Sequence, residues 1–298
     1  MRVLVIGASG FVGRHILRGA RAAGHESIGT QSIDRGGELL PFDLARDRLS
    51  NRVPQRWLEA GPFWVIIAGA IPQPERCRAE RDLAFATNVS GTMQAIRDAV
   101  SLGAIPVFLS SSFVFDGKRG GYGDHDARAP ISEYGRHKAR VEEFIEQEVP
   151  TALTLRLDKM VSDDPTEHHL LSEWWGLGSA GVPIRCVADQ DFSVTLVDDV
   201  ARGVLCGCER HLSGTYNLAS PQHFLRLDLA KTFLEMAGFS VPVFPVSQAE
   251  LGFSELRSEK SWLDSSAFVR ATELTFTNVH TVCASFLDRV RHHFAPSR

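Results

Sequence analysis

Short apolar runs alternate with longer stretches of helical periodicity through the first half of the chain. Residues 3–6 form a continuous apolar run, the pattern of a strand covered on both faces. From 10 to 23 the apolar positions Val12, Ile16, Ala20 and Ala23 recur at spacings of four, four and three, and Gly24 supplies a stop, which predicts a crossover helix. Further strands are predicted over 27–30, 64–68, 106–110 and 152–157, with helices over 82–102 and 132–148. Right-handed crossovers join such units into an α/β fold, a doubly wound parallel sheet of Rossmann type. Beyond 157 the alternation breaks down. Residues 158–185 mix acidic residues, His168, His169, Trp174, Trp175 and glycines, which suits a substrate-facing insertion. We therefore expect a first domain over 1–157, with 193–218 returning to it, and a smaller C-terminal substrate-binding part over 158–298, the two sharing one cleft.

Composition narrows the classes. With 298 residues, 44% apolar and 23% charged, the chain falls among ordinary globular proteins that fold without staples. A formal charge of -4 and the lack of a Lys/Arg block make nucleic acid an unexpected partner. The longest apolar stretch, 63–71, contains a glycine and is far shorter than the roughly 20 residues of a bilayer span, so no membrane partner is expected. The five cysteines are an odd number without a C-x-x-C pair, and the first residues read as a strand instead of a secretory signal; a cytoplasmic location is expected. A homodimer is compatible with these features.

Gly7-Ala8-Ser9-Gly10-Phe11-Val12-Gly13 lies between the first predicted strand and the first predicted helix, the context in which spaced glycines bind a dinucleotide. Gly7 allows the tight turn, Gly10 clears space for a pyrophosphate, and Gly13 lets helix and strand approach. About 20 residues beyond such a motif a carboxylate is expected to bind the ribose. Here stand Thr30, Gln31 and Ser32, so a 2′-phosphate meets no repulsion. This favours NADPH, with NADH possible. Arg35 is a candidate phosphate partner, although a solvated loop arginine reads equally well, and Asp34 would reverse the preference if the strand ended later. Asp43, before Leu44, either accepts from an adenine amino group or caps a short helix.

Tyr134 and Lys138 stand at i and i+4 on one predicted helix face. A phenol near pKa 10 is a poor acid-base at neutral pH, and a neighbouring cation is expected to lower that value. Upstream, the strand over 106–110 runs into Ser110-Ser111-Ser112 at the carboxyl edge of the sheet, where open α/β folds bind ligands. A hydroxyl there can donate to a substrate carbonyl. A dinucleotide turn, a strand-end hydroxyl and a Tyr/Lys pair, in this order, point to ketone reduction.

On these residues the chain resembles the extended short-chain dehydrogenases/reductases, and within them the 4-dehydrorhamnose reductase-like group that reduces nucleotide-linked 4-keto-6-deoxysugars. The resemblance also rests on Asn88-Val89, on Val114-Phe115-Asp116-Gly117, on Val197-Asp198-Asp199 and on Gly214-Thr215-Tyr216-Asn217. It implies that Ser111 holds the carbonyl oxygen, Tyr134 donates the proton, and Lys138 lowers the tyrosine pKa and binds the ribose. It implies further that Asn88 supports the active-site helix and that Ala68, Gly69, Ala70 and Leu44 lie beside the cofactor. Ser112 and Phe113 replace the usual Asp-Tyr, and Lys159 stands 25 residues past the tyrosine where a tryptophan commonly faces the sugar. These three residues and Arg185 are the candidate substrate contacts. Arg185 could clamp a diphosphate, as could Arg257 and Lys260. The implied substrate is a nucleotide sugar. A nucleotide-sugar epimerase with tightly held NAD(P) and a non-catalytic dinucleotide-binding regulatory subunit are the alternatives. No metal site is expected, because neither His168-His169 nor His292-His293 is completed by further ligands in sequence. Trp174 and Trp175 suit a base-stacking site or a core equally.

Overall fold

The computed structural model describes residues 1–293. Its strands are β1 (Arg2–Ile6), β2 (Glu26–Gln31), β3 (Leu40–Pro41), β4 (Trp64–Ile67), β5 (Ile105–Ser111), β6 (Leu153–Leu157), β7 (Lys159–Val161), β8 (Ile184–Val187), β9 (Asp191–Leu196), β10 (Gly214–Asn217), β11 (His223–Leu225) and β12 (Val243–Val246). The helices are α1 (Phe11–Ala22), α2 (Gln55–Glu59), α3 (Pro74–Ala79), α4 (Arg81–Phe85), α5 (Thr92–Ser101), α6 (Glu133–Glu148), α7 (Leu170–Ser179), α8 (Val197–Glu209), α9 (Arg226–Ala237), α10 (Ser266–Thr272) and α11 (Val279–His293).

Seven parallel strands form the central sheet in the order β10-β6-β5-β4-β1-β2-β3. The apolar runs are continuous because both faces are covered. Val3 and Val5 of β1 point into one core with Ile16 of α1 and Val200 and Val204 of α8, while Leu4 and Ile6 point into a second with Ile96 of α5 and Val141 of α6. The strand order reverses between β1 and β4. There the loops after both strands part and leave a crevice at their carboxyl ends.

The smaller part has its own core, in which Trp174 of α7, Phe192 of β9, Phe233 of α9 and Phe286 of α11 are buried together. Trp174 thus belongs to a core, and Trp175 packs on Phe239, their rings 4.9 Å apart. The stretch that returns to the central sheet begins at Val197 instead of Ser193. Residues 193–196 belong to β9, which pairs with β7 and β11 in a separate sheet, whereas α8 packs on α1 and β10 pairs with β6. The predicted helix over 82–102 is also interrupted. α4 and α5 are joined by one turn of π-helix, Ala86–Gly91, a wider winding that often marks functional sites. No described helix is long and apolar enough to cross a membrane.

Candidate active site

Between the loops that follow β1 and β4 lies a cleft of about 440 Å³ lined by Gly7, Ser9, Gly10, Asp43, Leu44, Ala68, Gly69 and Ala70, all anticipated from the sequence, and by Ser32, Ile33 and Arg76, which were not. Glycine is required on both walls. Gly7 has φ +80°, and a Cβ there would lie 2.5 Å from the Gly69 Cα; a Cβ on Gly13 would lie 2.3 Å from the Gly7 carbonyl oxygen. Gly10 caps α1 without a side-chain acceptor, so the first-turn N–H groups remain available to an anion. This cradle fits a dinucleotide diphosphate.

Four anticipated contacts take other places. Gln31 is buried and turns its amide back to donate to the carbonyls of Gly36 and Leu39, both at 3.3 Å, which staples the following loop. Arg35 is exposed in that loop and does not line the cleft. Phe11 leans the other way, onto His169 in the smaller part, with ring centroids 6.2 Å apart. Val12 packs against the core behind the sheet. Asp34 is exposed, accepts from the Gly36 N–H at 2.9 Å within its own turn, and does not line the cleft. Asp43 does both things expected of it: it accepts from the Ala45 N–H at 2.9 Å and lines the cleft.

A second hollow of about 290 Å³ opens between the central sheet and the smaller part. Ser111, Ser112, Phe113 and Lys159 line it as anticipated, joined by Asp158, Gln190 and Arg226. Ser111 ends β5 and its Oγ accepts from the Phe113 N–H at 3.3 Å, which leaves its own proton to donate. Asp158 is held by three donors: Ser112 Oγ at 2.7 Å, Ser261 Oγ at 2.9 Å and the Ser193 N–H at 2.7 Å. Burial nevertheless raises its carboxyl to about 6. Arg185 is not part of this hollow. It is exposed on β8 and donates to the Glu250 carbonyl at 3.2 Å. Lys260 is exposed as well, while Arg257 does line the cavity.

Tyr134 stands between the two spaces. Its ring meets Phe113 of the cavity edge-on, centroids 5.8 Å apart, and packs against the cluster of Ile71, Cys77 and Ala84, of which Ile71 lines the cleft. The helix that carries it starts at a Ser132 cap whose Oγ accepts from the Gly135 N–H, and Gly135 is forced by contact: a Cβ there would lie 2.1 Å from the Phe113 carbonyl oxygen. Lys138 follows one turn later, buried, and donates to the Leu109 carbonyl of β5 at 2.6 Å.

The expected lowering of the tyrosine pKa is corrected here. Desolvation pushes the phenol of Tyr134 above its ordinary value, with the Cys77 thiol adding in the same direction, and Lys138 does not offset this. The ammonium lies 5.6 Å from the ring centroid and is itself brought down to about 8 by burial. Burial thus favours the neutral form of this phenol.

Two supports were partly or wholly missed. Asn88, in the π-turn, clasps the Ile71 backbone from both sides, its Oδ1 accepting from N–H at 2.8 Å and its Nδ2 donating to C=O at 2.9 Å, and lies 3.4 Å from His137 Nδ1 on α6. It holds the cleft wall to the active-site helix. Glu142 and Arg156 form a fully buried ion pair with contacts of 2.6–3.2 Å, and Ser110 donates to the same carboxylate. The apolar flanks of Arg156 read only as strand; nothing local announces its partner on a helix.

Over residues 1–292 the chain matches the family described as the RmlD substrate binding domain. The chain belongs to this family. It is thereby placed among the extended short-chain dehydrogenases/reductases, NAD(P)-dependent oxidoreductases, as the motifs implied. Among its relatives is a probable low-salt glycan biosynthesis reductase of Haloferax volcanii, 27% identical over 89% of this chain and 90% of the relative. A spore coat polysaccharide biosynthesis protein of Bacillus subtilis is 25% identical over 91% of each. The fold is similar to a dTDP-4-dehydrorhamnose reductase of Bacillus anthracis solved with NADP, with a TM-score of 0.84 at 24% identity, covering 96% of this chain and 98% of that one.

Proposed function

We propose that this protein reduces the ketone of a nucleotide-linked 4-keto sugar, the 4-keto-6-deoxy class being the first to test, with NADPH as the preferred reductant. The observation that carries this reading is the seat of Tyr134 between a glycine-walled cleft and a polar cavity, against Phe113 on one side and the Ile71 cluster on the other. The relatives' roles in glycan and spore-coat polysaccharide biosynthesis, and the NADP in the Bacillus anthracis structure, support it.

In this reading Gly7, Ser9, Gly10 and the first turn of α1 hold the pyrophosphate, and Leu44 and 68–70 flank the rest of the cofactor. The reduced nicotinamide, when bound, supplies the hydride. Ser111 donates its hydroxyl proton in a hydrogen bond to the ketone oxygen, and Tyr134 delivers a proton as charge develops there. A phenol kept neutral by burial suits that direction. Lys138 keeps a positive charge 5.6 Å from the phenol ring, near the phenolate left once the proton has gone.

A panel of UDP- and dTDP-linked 4-keto sugars, followed by loss of reduced-nicotinamide absorbance, tests the proposal. Turnover of at least one member with NADPH is expected. Interconversion of sugar epimers by protein that carries its cofactor and consumes none would replace it with the epimerase reading. Cofactor preference has its own test at Ser32, which lines the cleft where a carboxylate is missing. Ser32→Asp is expected to raise the KM for NADPH by about tenfold or more while that for NADH changes little, since the new charge meets only the 2′-phosphate. Equal effects on both cofactors would remove Ser32 from that subsite.

A further inference from the structure

Three cationic side chains line the cavity beside Ser111, and they differ in what already satisfies them. Arg257 donates to Glu75 at 2.7 Å and lies over the Phe253 ring. Arg226 donates to the neutral Gln190 Oε1 at 3.2 Å. Lys159, among the described residues, has neither a hydrogen bond nor an ion pair; its ammonium rests 5.9 Å from the Phe192 ring centroid. Its neighbour Asp158 makes no hydrogen bond or ion pair with it and accepts instead from Ser112, Ser261 and the Ser193 N–H. A partly buried ammonium that lines a cavity and has no partner in the protein is open to an anion bound there.

The cavity wall contains further unmet groups. Ser258 is more than nine-tenths buried and its Oγ has no partner, and the same holds for Nε2 of His169 and for the buried Nε atoms of Arg226 and Arg257. Four of the seven buried side-chain atoms without a partner among the described residues thus belong to residues that line this one cavity. Guanidinium forks match phosphate oxygens, so Arg226 and Arg257 suffice for a diphosphate. Lys159 is then left over. It follows directly on the carboxylate that accepts from Ser112, and it lines the same cavity as Ser111.

We propose that Lys159 receives a carboxylate carried by the sugar ring itself, so that the preferred substrate is a nucleotide-linked keto sugar acid of uronate type in place of a neutral 6-deoxy sugar, with Ser258 a further donor in the same cavity. The inference rests on the reading of the chain as a nucleotide-sugar reductase and narrows its substrate.

Equilibrium binding to the NADP-loaded protein, with probes that differ only at the sugar carboxylate, tests it. UDP-glucuronate is compared with UDP-glucose, the dTDP-linked pair likewise, and UDP and dTDP alone serve as references. The wild-type protein is expected to bind the glucuronate form about tenfold or more tightly than the glucose form, as one charged hydrogen bond provides. Lys159→Met is expected to erase that preference and leave affinity for the nucleoside diphosphate within about threefold, whereas Lys159→Arg retains the preference. Equal binding of the two sugars by the wild type overturns the inference. So does a loss in Lys159→Met that is equally large for the nucleoside diphosphate, which would assign the amine to the phosphates. Failure to bind any of the nucleotide sugars and diphosphates would instead sink the proposed function, and this inference with it.

Discussion

Replacing Tyr134 with Phe is expected to lower kcat by about 10²–10⁴-fold while cofactor affinity stays nearly unchanged. The exchange removes one oxygen and keeps the ring that packs against Phe113 and the Ile71 cluster, so the helix start is preserved. Single-turnover rates with saturating NADPH and direct titration of the cofactor separate the two quantities. A variant that turns over as fast as the parent would remove the phenol from the reaction. The pH profile sharpens the test. Because Tyr134 is held above its ordinary value, it stays protonated through neutral and mildly alkaline pH and contributes no limb there. Lys138 is depressed to about 8, so its ammonium is present below that pH and lost above it. Under the assigned roles kcat falls as pH rises through about 8. Lys159 is also brought to about 8 by burial, and its neutralisation is read in kcat/KM, where substrate capture appears, and not in kcat at saturation.

Glu142→Gln is expected to destabilise the fold by about 3–5 kcal/mol in urea unfolding, the range for stripping one partner from a buried ion pair. Its carboxylate is fully enclosed and accepts from Arg156 at 2.6–3.2 Å, from Arg128 at 3.2 Å and from Ser110. Gln leaves the buried guanidinium of Arg156 with an uncharged acceptor. The double exchange Glu142→Leu with Arg156→Leu is expected to lose less than the single one, because no charge then stays buried alone. A single-variant loss below about 1 kcal/mol would show that water or the Gln amide oxygen satisfies Arg156. The same variant carries a functional signature. Glu142 favours the charged form of Lys138, so its loss should move the alkaline limb of kcat to lower pH. The buried pair thereby links the stability of β6 and α6 to the charge state of the active-site amine.

Much of the cofactor cleft was legible because it is a local device. Gly7, Gly10 and Gly13 mark a strand-turn-helix whose backbone must pass close to another backbone, and Gly69 meets it from the neighbouring strand end. Such requirements are written in residue types a few positions apart. Gln31 and Arg35, at the end of β2 and in the loop after it, face away from the cleft because one residue's direction decides whether a side chain turns to the cleft or to its own turn, and no period reports that. Arg185 failed for a related reason: alternation along β8 buries Ile184 and Cys186 and turns the residue between them outward.

The parallel sheet and the glycine-walled cleft were legible from short-range periodicity and from steric demands on a single residue type, and Ser111, Tyr134 and Lys138 stood out as candidates by their spacing. It took the packed molecule to show that burial raises the Tyr134 phenol, that Arg156 lies against Glu142, and that Lys159 lines a cavity without a hydrogen bond or ion pair. Charge states and unmet hydrogen bonds depend on which distant segments exclude water from a group, and desolvation is a property of the packed molecule that no local pattern of residues records.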